Sequence, residues 1–354
     1  IDAQTVRVEL AVMAAGKGGF RVLHSQMYTV SSDGAIAVDN AVMPEGRRIP
    51  IARLGVRMLL NKNLDHFTYL GRGPMENYAD RKRGFDVGLY SSTVADQRTP
   101  YAKPMENGNH EDVRWAALTG RDVPGLLAQA DGSLLQVSAQ PYTDEVMTPI
   151  EYTVDLPASE STVLTLAAKT LGVGSNGCGP RPLDPYIVWS DPATFSYVLR
   201  TVPATSADLS NLGRAPLPAD RVAPVLARRD ENGRVELTTA TKGATVAYRP
   251  EGGAWETYAA PLALEKSAIL SVRAKADGYQ PYEGVVAVPA VDHRAKWKVV
   301  GSSSFERGEG EPSHLLDGSL DTFWHSRWSP AVAQPPHFVT IDFGTPLNVA
   351  AVVY

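Results

Sequence analysis

The sequence predicts an all-β chain of packed sheets, and three observations carry that prediction. Apolar residues recur at every second position through most of the 354 residues, the period of a strand with one face buried. Clusters of Pro, Gly and Asp cut these runs into short segments. No apolar stripe of helix length competes with them.

Composition bounds the rest. With 44% hydrophobic and 21% charged residues the chain is ordinary globular material, which argues against a long disordered tail. At roughly 100–200 residues per domain, two or three domains are expected. The 34 basic and 39 acidic residues give a net charge of −5. No basic block exists to neutralise phosphates, so no nucleic acid partner is expected. No apolar run approaches the ~18 residues of a membrane span, so no membrane partner is expected either. Cys178 is the single cysteine, and the fold must rest on its apolar cores rather than on an internal disulfide. The chain starts at Ile1 without an initiator Met or a signal segment, and both ends read as cuts in a longer polypeptide.

Taken in order, Val6, Val8, Leu10 and Val12 alternate with Arg7, Glu9 and Ala11 and predict a strand with one buried face. Residues 27–43 repeat the pattern around Ser32-Asp33-Gly34, where Gly supplies a positive φ and Asp bonds its own backbone, so a hairpin is expected. Further strands are expected at 133–139, 150–156 and 162–168. Residues 1–202 thus form a first unit of two packed sheets with long loops. Residues 203–224, rich in Pro, Ala, Asp and Ser, read as a linker. Residues 225–290 hold short alternating segments around Val235-Glu236-Leu237, Thr245-Val246-Ala247-Tyr248 and Ile269-Leu270-Ser271-Val272, with Glu251-Gly252-Gly253 as a hairpin tip. Their length fits a small immunoglobulin-like sandwich. A third unit, 295–354, carries Trp297, Trp324 and Trp328.

The densest run of unusual residues is Leu70-Gly71-Arg72-Gly73-Pro74-Met75-Glu76-Asn77-Tyr78-Ala79-Asp80-Arg81, echoed by Thr99-Pro100-Tyr101 and Pro104-Met105-Glu106-Asn107-Gly108. Gly and Pro permit tight turns, while Glu, Asn, Asp and Arg can satisfy buried backbone groups and one another as loops fold over a sheet. The same residue types suit a sugar-hydroxyl site. Nothing in the spacing sets two carboxylates facing each other.

In order and spacing these blocks resemble the C-terminal small-chain domain of the large β-galactosidases of glycoside hydrolase family two. The resemblance covers about residues 1–200, with Leu171-Gly172-Val173-Gly174 at the family's Gly-rich loop. It implies a large β-sandwich related to the mutarotase-like supersandwich, entered partway by this chain. It also implies retaining hydrolysis of terminal β-D-galactosides by two glutamates on a (β/α)₈ barrel elsewhere in the same polypeptide. No catalytic residue is therefore expected in this chain, and Glu76 and Glu106 are expected to fix loops. In the family the Gly-rich loop offers a tryptophan to the leaving-group sugar. Here the loop reads Ser175-Asn176-Gly177-Cys178-Gly179-Pro180, which makes Asn176 and Cys178 the candidate subsite residues, with Cys178 in the tryptophan's place. The aromatic platform is missing, and a different or more open leaving-group subsite is expected. As a free cysteine, Cys178 also fits a small buried apolar role.

The third unit resembles the opening strands of a discoidin (coagulation-factor type C) module, a galactose-binding-like jelly roll, on Trp297-Lys298-Val299-Val300, His314-Leu315-Leu316-Asp317-Gly318, Asp321-Thr322-Phe323-Trp324 and Phe338-Val339-Thr340-Ile341-Asp342-Phe343-Gly344. Such modules commonly bind carbohydrate and often hold a structural Ca²⁺. Asp317, Asp321 and Thr322 are the candidate ligands, since carboxylate and hydroxyl oxygens can converge there; an Asp-Gly turn bonding only backbone is the alternative. Trp328 is a candidate sugar platform or a capping aromatic. The middle unit resembles the immunoglobulin-like C-terminal domain of chitobiases and reads as a spacer without a site.

These readings lead to the non-catalytic C-terminal part of a multimodular β-galactosidase, contributing a loop to the active site and tethering to glycan. A stand-alone carbohydrate-binding or adhesion protein is the alternative. A periplasmic or secreted bacterial location is expected by association with glycan-binding modules.

Overall fold

The computed structural model describes residues 5–16, 20–174, 181–204, 208–230, 233–291, 296–317 and 322–346. Among them the chain is nearly all β, with two α-helices of four residues each.

The first unit contains β1 (Thr5–Ala15), β2 (Arg21–Ser31), β3 (Ile36–Glu45), β4 (Arg53–Asn61), β5 (His66–Gly73), β6 (Asp86–Thr93), β7 (His110–Val113), β8 (Trp115–Gly120), β9 (Val123–Asp131), β10 (Leu135–Gln140), β11 (Ser161–Thr170) and β12 (Ala193–Val202). An eight-stranded sheet in the order β1-β2-β3-β12-β9-β8-β5-β6 faces a four-stranded sheet in the order β4-β11-β10-β7. Every pairing is antiparallel. Between the sheets lie Val38, Phe67, Tyr69, Leu118 and Tyr197 from one side and Leu54, Val137, Leu164 and Leu166 from the other. Full burial of one such side chain contributes about 1.5–3 kcal/mol.

The expected hairpin at 27–43 is present. Gly34 adopts φ 81°, and the Asp33 carboxylate accepts from the Ala35 amide at 3.0 Å. Two expectations fail. Val6, Val8, Leu10 and Val12 alternate as read, yet they are 44–52% exposed. Their strand is the edge of the larger sheet, and four opposing strands do not cover eight. Residues 150–156 form no strand: Thr153–Asp155 is one 3₁₀ turn, and Thr153 Oγ1 donates to the Tyr101 carbonyl at 2.5 Å. Bonding to that loop replaces a strand ladder, and Val154 points into solvent.

The second unit comprises β13 (Val225–Arg229), β14 (Val235–Thr239), β15 (Thr245–Pro250), β16 (Glu256–Thr257), β17 (Ala268–Lys275) and β18 (Tyr282–Val288), arranged as a two-stranded β13-β14 sheet and a four-stranded β16-β15-β17-β18 sheet. Its core continues into the first unit. Val222, Val225, Leu270, Tyr282 and Val286 form one buried cluster with Leu23, Met27, Ala41 and Met43 from the outer face of β2 and β3. Arg221 sits at this seam, its Nε 2.9 Å from Asp39 and a terminal nitrogen 2.5 Å from Asp131.

The segment expected as a spacer is docked too. Helix α2 (Leu209–Leu212; α1 is Asp144–Met147) packs Leu209 and Leu212 against Trp115, and Gln129 Nε2 donates to the carbonyls of Gly213 and Ala215. Its Pro and Ala content hid this, because the contacts are made largely by backbone carbonyls. Beyond it, β19 (Lys298–Ser302) pairs with β20 (Val339–Asp342), a ladder with one irregularity at Val299/Gly301.

Candidate functional site

The motif blocks meet where β5 leaves the eight-stranded sheet. Asn77 is fully buried and ties three turns together. Its Nδ2 donates to the carbonyls of Arg72 and Met75, both at 3.0 Å, and its Oδ1 accepts from the Glu111 amide at 2.9 Å. Asn109 Nδ2 answers by donating to the Asn77 carbonyl at 2.8 Å. Asn107 closes the second block, with Oδ1 accepting from the Thr99 amide and Nδ2 donating to the Met105 carbonyl. Buried amides paired on both ends fix a loop, because leaving either end unmade costs about 1–3 kcal/mol.

The carboxylates are committed to the same task. Glu76 is nearly buried and accepts from Arg81 at 2.7 Å, from the Gly108 amide at 2.7 Å and from the Tyr101 hydroxyl. Glu106 accepts from the Tyr78 hydroxyl at 3.2 Å and pairs with Arg53 at 2.5 Å. Burial pushes the Glu106 carboxyl up, and the Arg53 guanidinium opposes that shift. Glu111, also raised by burial, receives Lys82 at 3.2 Å. Asp112 lies at φ 55°, a region that favours glycine. Against the partial burial that would raise it, Arg72 and Lys82 hold its carboxyl below the ordinary range. Burial, then the carboxylates of Glu106 and Glu76, push the Tyr78 phenol up, so it acts as a fixed donor.

Beneath the loops lies a buried relay. Tyr69 hydroxyl and His110 Nδ1 are 2.8 Å apart, and His110 Nε2 is 2.5 Å from Gln97 Oε1. His110 Nδ1 also lies 3.1 Å from the Arg72 carbonyl, so the ring is held between a phenol, a side-chain amide and a backbone carbonyl. Burial lowers the His110 pKa to about 4.

The Gly-rich segment is anchored to the first motif. Leu171 and Gly172 amides donate to the carbonyls of Ala52 and Tyr186, and the Gly174 amide donates to Asp80 Oδ2 at 2.8 Å. Gly174 has φ 72°. A Cβ on Gly172 would stand 2.7 Å from Asp80 Oδ2, so glycine is what lets the two segments touch.

A family model described as the beta galactosidase small chain matches residues 2–199. The chain belongs to that family. Among curated relatives, a β-galactosidase from Priestia megaterium (strain DSM 319 / IMG 1521) is 34% identical over 149 residues, 42% of this small-chain protein and 14% of the relative. Those from Actinobacillus pleuropneumoniae and Arthrobacter sp. (strain B7) are 30% and 32% identical over 51% and 54% of this chain, 17% and 20% of their own lengths. The match thus spans a fifth or less of these relatives. Among solved structures, a candidate aldose 1-epimerase from Escherichia coli K12 aligns at a TM-score of 0.28 and 11% identity over 57% of this chain and 66% of its own.

Of the candidate residues read from the sequence, Asn176, Cys178 and Asp321 lie outside the described residues. Thr322 Oγ1 donates to Asp317 Oδ2 at 2.7 Å. Asp317 and Thr322, two of the three candidate Ca²⁺ ligands, are thus in direct contact. Among the described residues no group of three or more His, Cys, Asp or Glu is arranged to hold a metal ion. Trp328 is 38% exposed, its ring 4.3 Å from His325 in an edge contact, and its amide, with that of Ser329, donates to Glu306. Sequence reading missed the partner of Asp80, since an acid and a loop 94 residues apart show no common period.

Proposed function

We propose that this chain is the non-catalytic C-terminal part of a multimodular retaining β-galactosidase of glycoside hydrolase family two, acting on terminal β-D-galactosides. Its first unit supplies a wall and a loop to an active site whose two glutamates sit on a barrel elsewhere in the polypeptide.

One observation carries this reading. The carboxylates of the motif are engaged with guanidinium, ammonium, phenol and amide donors, while the root of the Gly-rich loop is pinned by Asp80. Retaining hydrolysis needs two carboxyls about 5–5.5 Å apart and free to face the scissile bond. Groups so paired are suited to positioning a loop. The small-chain match and the β-galactosidase names of the relatives support the same parent activity.

The third unit then serves as a carbohydrate-binding module, with Trp328 offered to sugar, in an enzyme that works in the periplasm or outside the cell. Hydrolysis of nitrophenyl β-galactoside tests the assignment. The chain alone should give no turnover, and the same chain joined to a family barrel should restore it. Turnover by the chain alone would overturn the reading.

A further inference from the structure

The outer face of the β16-β15-β17-β18 sheet carries a recess that the small-chain match, ending at residue 199, does not reach. On β15, Val246 enters the core, so Thr245, Ala247 and Arg249 face outward; on β17, Leu270, Val272 and Ala274 enter the core, so Arg273 and Lys275 face outward. Register places Ala247 between Arg273 and Thr257, and Thr245 beside Lys275. Because Ala247 is small, a hollow of about 220 Å³ opens there, lined by Thr245, Ala247, Trp255, Thr257, Arg273 and Lys275.

Its charge is specific. The Arg273 and Arg249 guanidiniums lie 4.1 and 4.9 Å from the Trp255 ring centre. Stacking on an aromatic holds a guanidinium while leaving its N–H edge able to donate. Arg273 Nε meets Glu283 at 3.0 Å. Arg273 and Lys275 line the recess and Arg249 stacks on its Trp255 wall, against Glu283 on Arg273 and Glu9 beside Glu283, so the recess is net positive on a chain of net charge −5.

We propose that this recess binds an anionic sugar unit of a polysaccharide, with Arg273 and Lys275 on its carboxylate or sulfate and Thr245 and Thr257 on its hydroxyls. Planar donors fit both oxyanions bidentately, and hydroxyl-bearing walls suit a polyol. The anionic charge of the ligand follows from the face itself. Its being a saccharide rests on the glycosidase reading above.

Affinity electrophoresis of the full chain through gels containing polygalacturonate, a sulfated galactan or neutral galactan tests this without any barrel, so it is read separately from hydrolysis. Retardation is expected in one or both anionic gels, the pair distinguishing uronate from sulfate, and it should weaken with added salt. The variants Lys275→Ala and Arg273→Ala/Lys275→Ala should each weaken binding, the double by about tenfold or more, with unchanged circular dichroism. Equal retardation in neutral galactan, retention of binding by the double variant, or equal affinity for single-stranded DNA would overturn the proposal.

Discussion

The carboxylate of Asp80 holds the backbone amide of Gly174 at 2.8 Å, across 94 residues of sequence. This contact joins the first motif to the Gly-rich loop and fixes where that loop leaves the sandwich. A hydrogen bond to a charged acceptor contributes about 1.5–3 kcal/mol.

Removing that acceptor should loosen the loop root without unfolding the sheets. In Asp80→Ala, hydrogen exchange at the Gly174 amide should accelerate about 10- to 100-fold, with amides of β11 and β12 unchanged. Gly172→Ala should act the same way, because the added methyl would crowd Asp80. Unchanged exchange at Gly174 in both variants would refute the anchor.

Acid should weaken the first unit through His110. Burial holds its folded pKa near 4 against an ordinary 6.5, so the unfolded chain takes up the proton first. The His110 contribution to stability is fully present above pH 6.5, falls as pH drops from 6.5 to 4, and is lost below. The 2.5-unit gap corresponds to about 3 kcal/mol. His24, lowered by its own burial, adds in the same direction, so the comparison is with His110→Gln. Urea midpoints at pH 4.5, 5.5 and 7.5 should show a shallower acid slope in that variant than in the parent.

Arg221 joins the two units at their seam. Its side chain and that of Asp39 are 8% and 6% exposed. Arg221→Met would leave Asp39 and Asp131 close together without their cation, and truncating one member of a buried pair costs about 3–5 kcal/mol. A matching fall in the denaturation free energy is expected, with faster exchange in β18, which packs on β2. A loss below 1 kcal/mol would show the units to be held by apolar contact alone.

Gly213 lies flat on the buried Trp115 indole, where a Cβ would come within 2.5 Å of three ring atoms. Gly213→Ala should displace the 203–224 segment or shift the ring, costing about 1–3 kcal/mol. Tryptophan fluorescence should redden as the indole gains water. An unchanged spectrum and midpoint would argue that the segment is not seated there.

Much of the fold was legible because β periodicity is local. The hairpin about Asp33 and Gly34, the strands near 133–139 and 162–168, and the Glu251-Gly252-Gly253 tip needed only alternation and turn chemistry. The site was legible in part. The motif identified its residues, but Asn77 and Asn109 acquire their roles only when β5 and β7 stand side by side. Residues 150–156 show the converse: an apolar alternation with no partner strand became a turn bonded to Tyr101.

The sequence by itself determined the all-β class, the motif blocks and the family to which residues 2–199 belong. Tertiary structure decided what meets across the sheets: Asp80 with Gly174, Arg221 with Asp39 and Asp131, Trp255 with two arginines, and the second unit pressed onto β2 and β3. Strand period is set by neighbouring dihedrals and can be read along the chain. Pairing between distant segments is set by register and burial, which exist only once the sheets have closed.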